Sequence, residues 1–244
     1  MKTEEITMKK ITVFALACAL ALALAACGGD AALSHKEFDA AALDAAVTVD
    51  TYVQAKQAWA DGKATLYTQA EDGAYFIYGM ACAREEYDAL TVGAKLRVSG
   101  KKAAYKGEVE ITDATCKVLD GQFIASPLDV TALLGTDELA AHQNERVRFA
   151  GMTVAPKTDA NGNEAAFLYS WDGKGTQGDD LYFDATVDGR TVTFTVETAL
   201  CGPDTDVYKA VQALQVGDKV DVTGFLYWYD GAANPHVTAV APAA

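Results

Sequence analysis

The sequence predicts a mainly β protein in which one β-rich module is written twice in tandem. An apolar N-terminal stretch precedes the copies and a short helical segment joins them. Three observations carry this reading. Leu90-Thr-Val-Gly-Ala-Lys-Leu-Arg-Val-Ser-Gly100 returns as Leu214-Gln-Val-Gly-Asp-Lys-Val-Asp-Val-Thr-Gly224, and at the same offset of 124 residues Tyr105-Lys-Gly107 returns as Tyr229-Asp-Gly231. Self-similarity at a fixed offset signals duplication. Other runs, such as Val47 to Ala55, alternate apolar and polar residues and end in turn signals such as Asp61-Gly62 and Glu71-Asp-Gly73, the pattern of strands entering hairpins. Helical spacing is confined to short pieces, among them Asp206 to Leu214 with apolar residues at 207, 210, 211 and 214.

With 244 residues, 50% of them apolar, the chain can bury two modest cores. Residues 1–26 hold three lysines against two glutamates, so the −14 of the whole chain becomes −15 beyond them. Such a surface repels phosphate backbones and anionic headgroups and favours cations and solubility.

The first element in order is the leader. Met8-Lys-Lys10 is a basic segment, and Ile11 to Ala26 is uncharged and mostly Ala and Leu. At 16 residues this run falls short of the ~20 that a membrane-spanning helix needs, so it reads as a secretory signal rather than an uncleaved span. Leu24-Ala-Ala-Cys27, followed by Gly28 and Gly29, resembles the lipobox of bacterial lipoproteins. That resemblance implies a signal peptide over 1–26, lipidation of Cys27, and a mature protein anchored on the extracytoplasmic face of the cell membrane. Glu4 and Glu5 suit such a leader poorly, which points to Met8 rather than Met1 as the start of translation. Once Cys18 leaves with the leader and Cys27 is capped, Cys82, Cys116 and Cys201 remain. Cys82 and Cys116 fall in one module and are candidates for a disulfide; the other reading is three small buried side chains.

Residues 27–43 are a tether and a short helix. Ser34-His-Lys-Glu37 has capping-box spacing and starts a helix expected to run to about Ala46, with His35 solvated in the cap. The first module, 44–121, then reads as three strands, a short helix over Arg84 to Leu90, the repeated strand, and a hairpin at Tyr105-Lys-Gly107 leading into Val109-Glu-Ile111. That order, with Val92-Gly93 after the helix and Val98-Ser-Gly100 ahead of the turn, resembles the OB-fold. The resemblance implies a five-stranded barrel with a helix between its third and fourth strands, and therefore two tandem OB-like barrels in the whole chain. A connector over 122–144 follows the break at Ser126-Pro127. It is expected to hold two short helices, Asp129 to Leu134 and Thr136 to Asn144, the latter capped by Thr136, with His142 on its surface. The second module spans 145–242.

Candidate sites cluster in the second module. Asp159, Asn161, Asn163 and Glu164, and separately Asp172, Asp179 and Asp180, offer oxygen ligands of the kind calcium takes. Their spacing departs from the EF-hand, and an Asn-Gly turn accounts for the first set equally well. Calcium is the one cofactor that the sequence brings into view. Tyr169, Trp171, Tyr182 and Trp228 form a candidate stacking platform, because OB-folds bind ligands across strands 2 and 3 and the flanking loops. The competing reading has these aromatics filling a small barrel. In Phe225 to Tyr229 strand alternation puts 225, 227 and 229 on one face and Leu226 and Trp228 on the other.

No nucleophile is placed beside a base: Gly-x-Ser-x-Gly, His-Glu-x-x-His and phosphate-loop motifs are absent, and the three histidines fall in separate segments. The only tight basic cluster, Lys101, Lys102 and Lys106, falls short of a strand-tracking groove, which argues against nucleic acid as a partner. The expected function is therefore a non-catalytic binding or scaffolding protein of the bacterial cell envelope. Its partners would be the membrane, through the Cys27 lipid, and an envelope ligand or an envelope protein met by exposed aromatics.

Overall fold

The computed structural model of the protein describes residues 31–243. The leader and Cys27 lie outside the described residues. Residues from Ala32 onward form one compact unit.

A short helix α1 (His35–Ala40) opens it, with Ser34 and Glu37 closing the expected capping box. The helix stops well short of Ala46. Lys102 Nζ donates to the carbonyls of Phe38, Asp39 and Ala41 at 2.9, 2.8 and 3.1 Å, so a buried ammonium takes the helix-end carbonyls that another turn of helix would have used. His35 is not solvated either. Its ring packs edge-on against Tyr75 and over Gly73, and Nε2 contacts the Ala74 carbonyl at 3.2 Å.

Strands β1 (Ala46–Lys56), β2 (Lys63–Ala70), β3 (Gly73–Ala81), β4 (Ala94–Tyr105) and β5 (Glu108–Gln122), with α2 (Arg84–Ala89) between β3 and β4, form a closed barrel in the order β1-β2-β3-β5-β4. The fold is thus mainly β with a closed five-stranded barrel, and its helix sits where the sequence places it. Inward residues Val49, Val53, Leu66, Ile77, Leu96, Val98 and Ile111 are each 0% exposed and make the core.

The repeated motif does the same mechanical work at both of its positions. Gly93 and Gly217 turn at φ 88° and 95°, where only glycine sits without strain, and donate to Val53 and Val154 carbonyls. A Cβ on Gly100 would lie 2.7 Å from the Thr112 carbonyl oxygen, and one on Gly224 would lie 2.3 Å from the His236 carbonyl oxygen. Pairing slips beside both glycines, between Ser99 and Lys101 and between Thr223 and Gly224, as at a β-bulge.

The second sheet holds β6 (Leu128–Asp129), β7 (Arg146–Ala155), β10 (Leu168–Tyr169), β11 (Leu181–Val187), β12 (Arg190–Val196), β13 (Lys219–Phe225) and β16 (His236–Pro242), in the order β10-β11-β12-β16-β13-β7-β6 with β7 also paired to β11. Helix α3 (Asp206–Gln212) lies between β12 and β13, its N-terminus capped by Thr205. Two small hairpins, β8 (Lys157–Thr158) with β9 (Glu164–Ala165) and β14 (Trp228–Tyr229) with β15 (Ala232–Ala233), stand outside the sheet. Phe149, Phe183, Phe194, Val196, Val211 and Val222 fill the second core at 0% exposure.

The connector departs from the expected pair of helices. It is two 3-10 turns, Thr131–Leu133 and Asp137–His142, and Thr136 makes no side-chain cap; its hydroxyl donates back to the Leu133 carbonyl. Gly135 and Asn144, both at positive φ, bound the second turn. His142 meets Glu145 at 3.1 Å. Cys82, Cys116 and Cys201 are free thiols, so the bridge expected as one reading for Cys82 and Cys116 is replaced by two separate side chains.

Candidate functional site

On β2 and β3 the inward residues Leu66, Tyr75 and Ile77 fill the barrel, which turns Tyr67 and Phe76 outward. That outward face is covered. Phe225 stacks on Tyr67 at 4.5 Å between ring centroids, and Tyr227 meets Phe76 edge-on at 5.5 Å. Both come from the second sheet's end of the chain, where Leu226 instead turns into the second core at 0% exposure. The alternation expected for 225 to 227 therefore holds, but the aromatic side faces the first barrel rather than solvent.

Polar groups line the same seam. Glu197 Oε2 accepts from Gln57 Nε2 at 2.6 Å and from the Tyr67 hydroxyl at 3.1 Å, and lies 3.4 Å from His236 Nδ1. Tyr67 has one proton to give, so its further bond to His236 Nδ1 requires that ring nitrogen to carry a hydrogen. Burial pushes the Glu197 carboxyl up, but His236, with Tyr67 and Gln57, outweighs burial and holds it below the ordinary carboxylate range. Burial also pushes the Tyr67 hydroxyl well above its ordinary value.

Trp228 belongs to this seam as well. Its backbone N–H donates to Glu108 Oε2 at 2.8 Å, and its ring lies over Gly107, where a Cβ would come within 3.1 Å. The duplicated hairpin turns meet one another: Lys106 Nζ reaches Asp230 Oδ1 at 3.0 Å, and the Tyr105 and Tyr229 rings are 6.4 Å apart. Trp228 is therefore removed from the expected stacking platform.

The corresponding face of the second sheet carries different residues. Leu181, Phe183, Val192, Phe194 and Val196 point into the core, so Tyr182, Asp184, Thr186, Thr191, Thr193 and Thr195 share the other face of β11 and β12. Tyr182, Asp184, Thr186 and Thr193 are half-buried and Thr191 is exposed. Asp184 accepts from Lys157 Nζ at 2.8 Å and from Thr193 Oγ1 at 2.6 Å, and Thr195 donates to Asn234. Burial, with the Asp180, Glu197 and Tyr229 charges nearby, pushes the Tyr182 hydroxyl up to about 12. The face is partly covered, with Thr195 buried at 3% exposure beside Asn234, is rich in hydroxyls, and is bordered by the long segment between β7 and β11.

That segment holds the remaining expected residues without gathering them. Tyr169 is half-buried, its hydroxyl bound to Gln177 and Gln212, and Trp171 stands out at 75% exposure. Asp159 Oδ1 accepts from the Asn161 and Asn163 N–H groups at 2.8 Å, which makes the loop an Asx-type turn. Asp172 accepts from the Lys174 N–H, Asp179 from the Thr176 N–H, and Asp180 from the Thr198 N–H. Each carboxylate serves its own turn or strand end. Among the described residues no three His, Cys, Asp or Glu side chains are grouped as a metal site.

No sequence motif sets Glu108, Asn144, Glu197 and His236 apart. The one available signal was the charge reversal at offset 124, Lys106 against Asp230, on two otherwise equivalent turns.

No family model and no curated protein matches the chain. Solved structures give weak similarities. A murine DNA-binding protein bound with double-stranded DNA shares 9% identity, covering 80% of this chain and 99% of that one, at a TM-score of 0.37. The Ifi202 HINa domain in complex with a 20-base-pair double-stranded DNA shares 11%, covering 81% and 98%, at 0.35. The wild-type single-stranded DNA-binding protein from Thermus aquaticus shares 13%, covering 83% and 95%, at 0.27. Likeness at this level carries no inference about what this chain binds.

Proposed function

We propose that the chain is a non-catalytic binding protein of the bacterial cell envelope, built from two copies of one OB-like barrel, with its ligand site on the outer face of β11 and β12. The lipobox-like Leu24-Ala-Ala-Cys27 supports the lipid anchor and the extracytoplasmic location. The observation that carries the site is the contrast between the two faces. On the first barrel the strand 2 and 3 face, where OB-folds take ligands, is sealed by Phe225, Tyr227 and His236. On the second sheet the matching face has no aromatic cover of this kind among the described contacts and offers half-buried Tyr182, Thr186 and Thr193 with exposed Thr191.

The chemistry favours a neutral, polar ligand such as an oligosaccharide, a cell-wall fragment or a peptide. Lys157 and Lys174 nearby are both committed to aspartates, at 2.8 and 3.2 Å, so no free positive stripe is offered to a phosphate backbone. Contact with another envelope protein is the second reading, favoured by Trp171 at 75% exposure.

Thermal unfolding of the soluble polypeptide 28–244 against oligosaccharides, cell-wall fragments, peptides, single-stranded oligonucleotides and calcium tests the proposal. A ligand at 100 times its Kd adds about 2.7 kcal/mol, enough for a clear shift in Tm. The expected result is a shift with one neutral class that Tyr182→Ala abolishes. A shift with oligonucleotides alone, or one that Tyr182→Ala leaves intact, overturns the proposed site. Silence across the panel transfers the weight to the protein-partner reading.

A further inference from the structure

The outer face of β5 carries two carboxyls. Ile111 lies in the first core and Val109 packs against it, so alternation turns Glu108 and Glu110 the other way. In register, Phe76 on β3 and Ala103 on β4 stand beside Glu110, and Tyr105 on β4 stands beside Glu108. Tyr78 and Tyr105 are each two residues along from those neighbours of Glu110, a diagonal separation that aromatic side chains span. The Tyr78 ring lies 6.2 Å from Phe76, and Tyr227 meets Phe76 from above at 5.5 Å. The cover over the barrel ends here: Tyr67 and Phe76 are 1% and 3% exposed, whereas Tyr78 and Tyr105 are 55% and 54% exposed.

Glu110 is 8% exposed and Glu108 0%. Glu108 Oε2 accepts from the Trp228 N–H at 2.8 Å, but its Oε1 has no partner. Glu110 has no hydrogen bond or ion pair to its side chain at all, and burial alone pushes its carboxyl up. The lysines of this stretch of β4 and its turn are spent elsewhere: Lys101 on Asp113, Lys102 on the α1 carbonyls and Lys106 on Asp230. A carboxylate nine-tenths buried without a cation is costly, and here it stands among aromatic rings.

We propose that this patch at the edge of the seam binds an organic cation, an alkylammonium group whose charge lies against Glu110 and whose methyl groups face Tyr78, Tyr105 and Tyr227. The faces of aromatic rings attract such cations. A hard metal ion would need six or more oxygen ligands, which rings do not supply, and among the described residues no metal-binding group is present. The charge of −14 on the whole chain adds a general attraction for cations. The patch lies on the first barrel, so the proposal stands apart from the reading of β11 and β12 as a ligand site.

Calorimetric titration of the full chain with choline tests it, with dimethylbutanol, the uncharged carbon isostere, as the control. Choline should bind and dimethylbutanol should not. Glu110→Gln should weaken choline binding about tenfold or more, and Tyr78→Leu and Tyr105→Leu about two- to fivefold each. Glu85→Gln, in the first turn of α2, should leave it unchanged. Glu110→Gln removes a buried, unpaired charge, so its Tm should not fall, and choline should raise the Tm of the wild type but not of this variant. Sedimentation with phosphatidylcholine vesicles that Glu110→Gln abolishes would place the ammonium on a lipid headgroup. Binding of free choline without such sedimentation would place it on a soluble amine. Failure of choline to bind, equal binding of dimethylbutanol, or choline binding that survives Glu110→Gln intact each overturns the proposal.

Discussion

The two sheets treat the same hairpin differently. In the first barrel β4 and β5 run as one long ladder, 12 and 15 residues, to the turn at Lys106 and Gly107. In the second, the matching ladder breaks after Phe225 and resumes as the two-residue strands β14 and β15 around Asp230 and Gly231. Both turns keep positive φ at both central residues, 54° and 97° against 49° and 82°, as tight hairpin turns require. Phe225, the last residue of β13, and Tyr227, in the break beyond it, cover Tyr67 and Phe76. Phe225 and Tyr227 therefore cover the outer face of β2 and β3, whereas Tyr182, Asp184, Thr186 and Thr193 on the outer face of β11 and β12 are half-buried. The comparison teaches that one turn motif can end two different hairpins, a continuous ladder in the first barrel and an interrupted one in the second sheet, while both keep their glycines.

The sharpest way to break this arrangement is Tyr67→Ala. Tyr67 is 1% exposed, stacks on Phe225 and holds Glu197 and His236. Removing a buried aromatic costs about 3–5 kcal/mol, and the loss falls on the seam rather than on either core. Denaturant unfolding should change from one transition to two as the sheets uncouple. A single transition with an unchanged midpoint would show that the seam contributes little.

Gly224→Ala and Gly100→Ala compare the bulges themselves. Overpacking costs about 1–3 kcal/mol, and Gly224→Ala should lie at the upper end because its Cβ would meet backbone at 2.3 Å rather than 2.7 Å. Urea midpoints in the reverse order would mean that the second bulge yields more easily than its geometry implies.

What the sequence made legible divides along the same line. Gly93, Gly100, Tyr105 and Gly107 and their partners at offset 124 could be read because each answers a local demand: a positive φ, a missing Cβ, a two-residue turn. The cover over Tyr67 could not be read, since strand alternation shows that a residue has an outer face but not what lies against it. The end of α1 was hidden for a related reason, because the group that ends it, Lys102, is 61 or more residues away in the chain. Of the expected site residues, Tyr182 falls on the outer face of β11, Trp228 in the seam, Asp159, Asp172 and Asp179 in self-contained turns, and Asp180 against Thr198 at the end of β12, a sorting that depends on pairing register rather than residue type.

Smaller effects sharpen the seam's electrostatics. The Glu197 carboxyl is held below its ordinary range, so the folded state binds that proton less readily than the unfolded chain does. Its contribution is complete above the ordinary carboxylate pKa and is lost as pH falls through the lower folded value. Glu197→Gln should therefore lower Tm at neutral pH and flatten the acid limb of the Tm profile. An acid limb unchanged by the substitution would remove Glu197 from the seam's energetics.

The smallest effect belongs to the most visible contact. Lys106 and Asp230 occupy matching positions in the two turns and touch at 3.0 Å, yet their side chains are 47% and 60% exposed. An ion pair so wet is screened by water and salt, and holding two long side chains in register offsets most of its attraction. Lys106→Ala should leave Tm within experimental error of wild type at physiological salt. If it instead separates the unfolding of the two sheets as Tyr67→Ala is expected to do, the turns rather than the aromatic cover hold the sheets together, and the contrast between the hairpins would have to be redrawn.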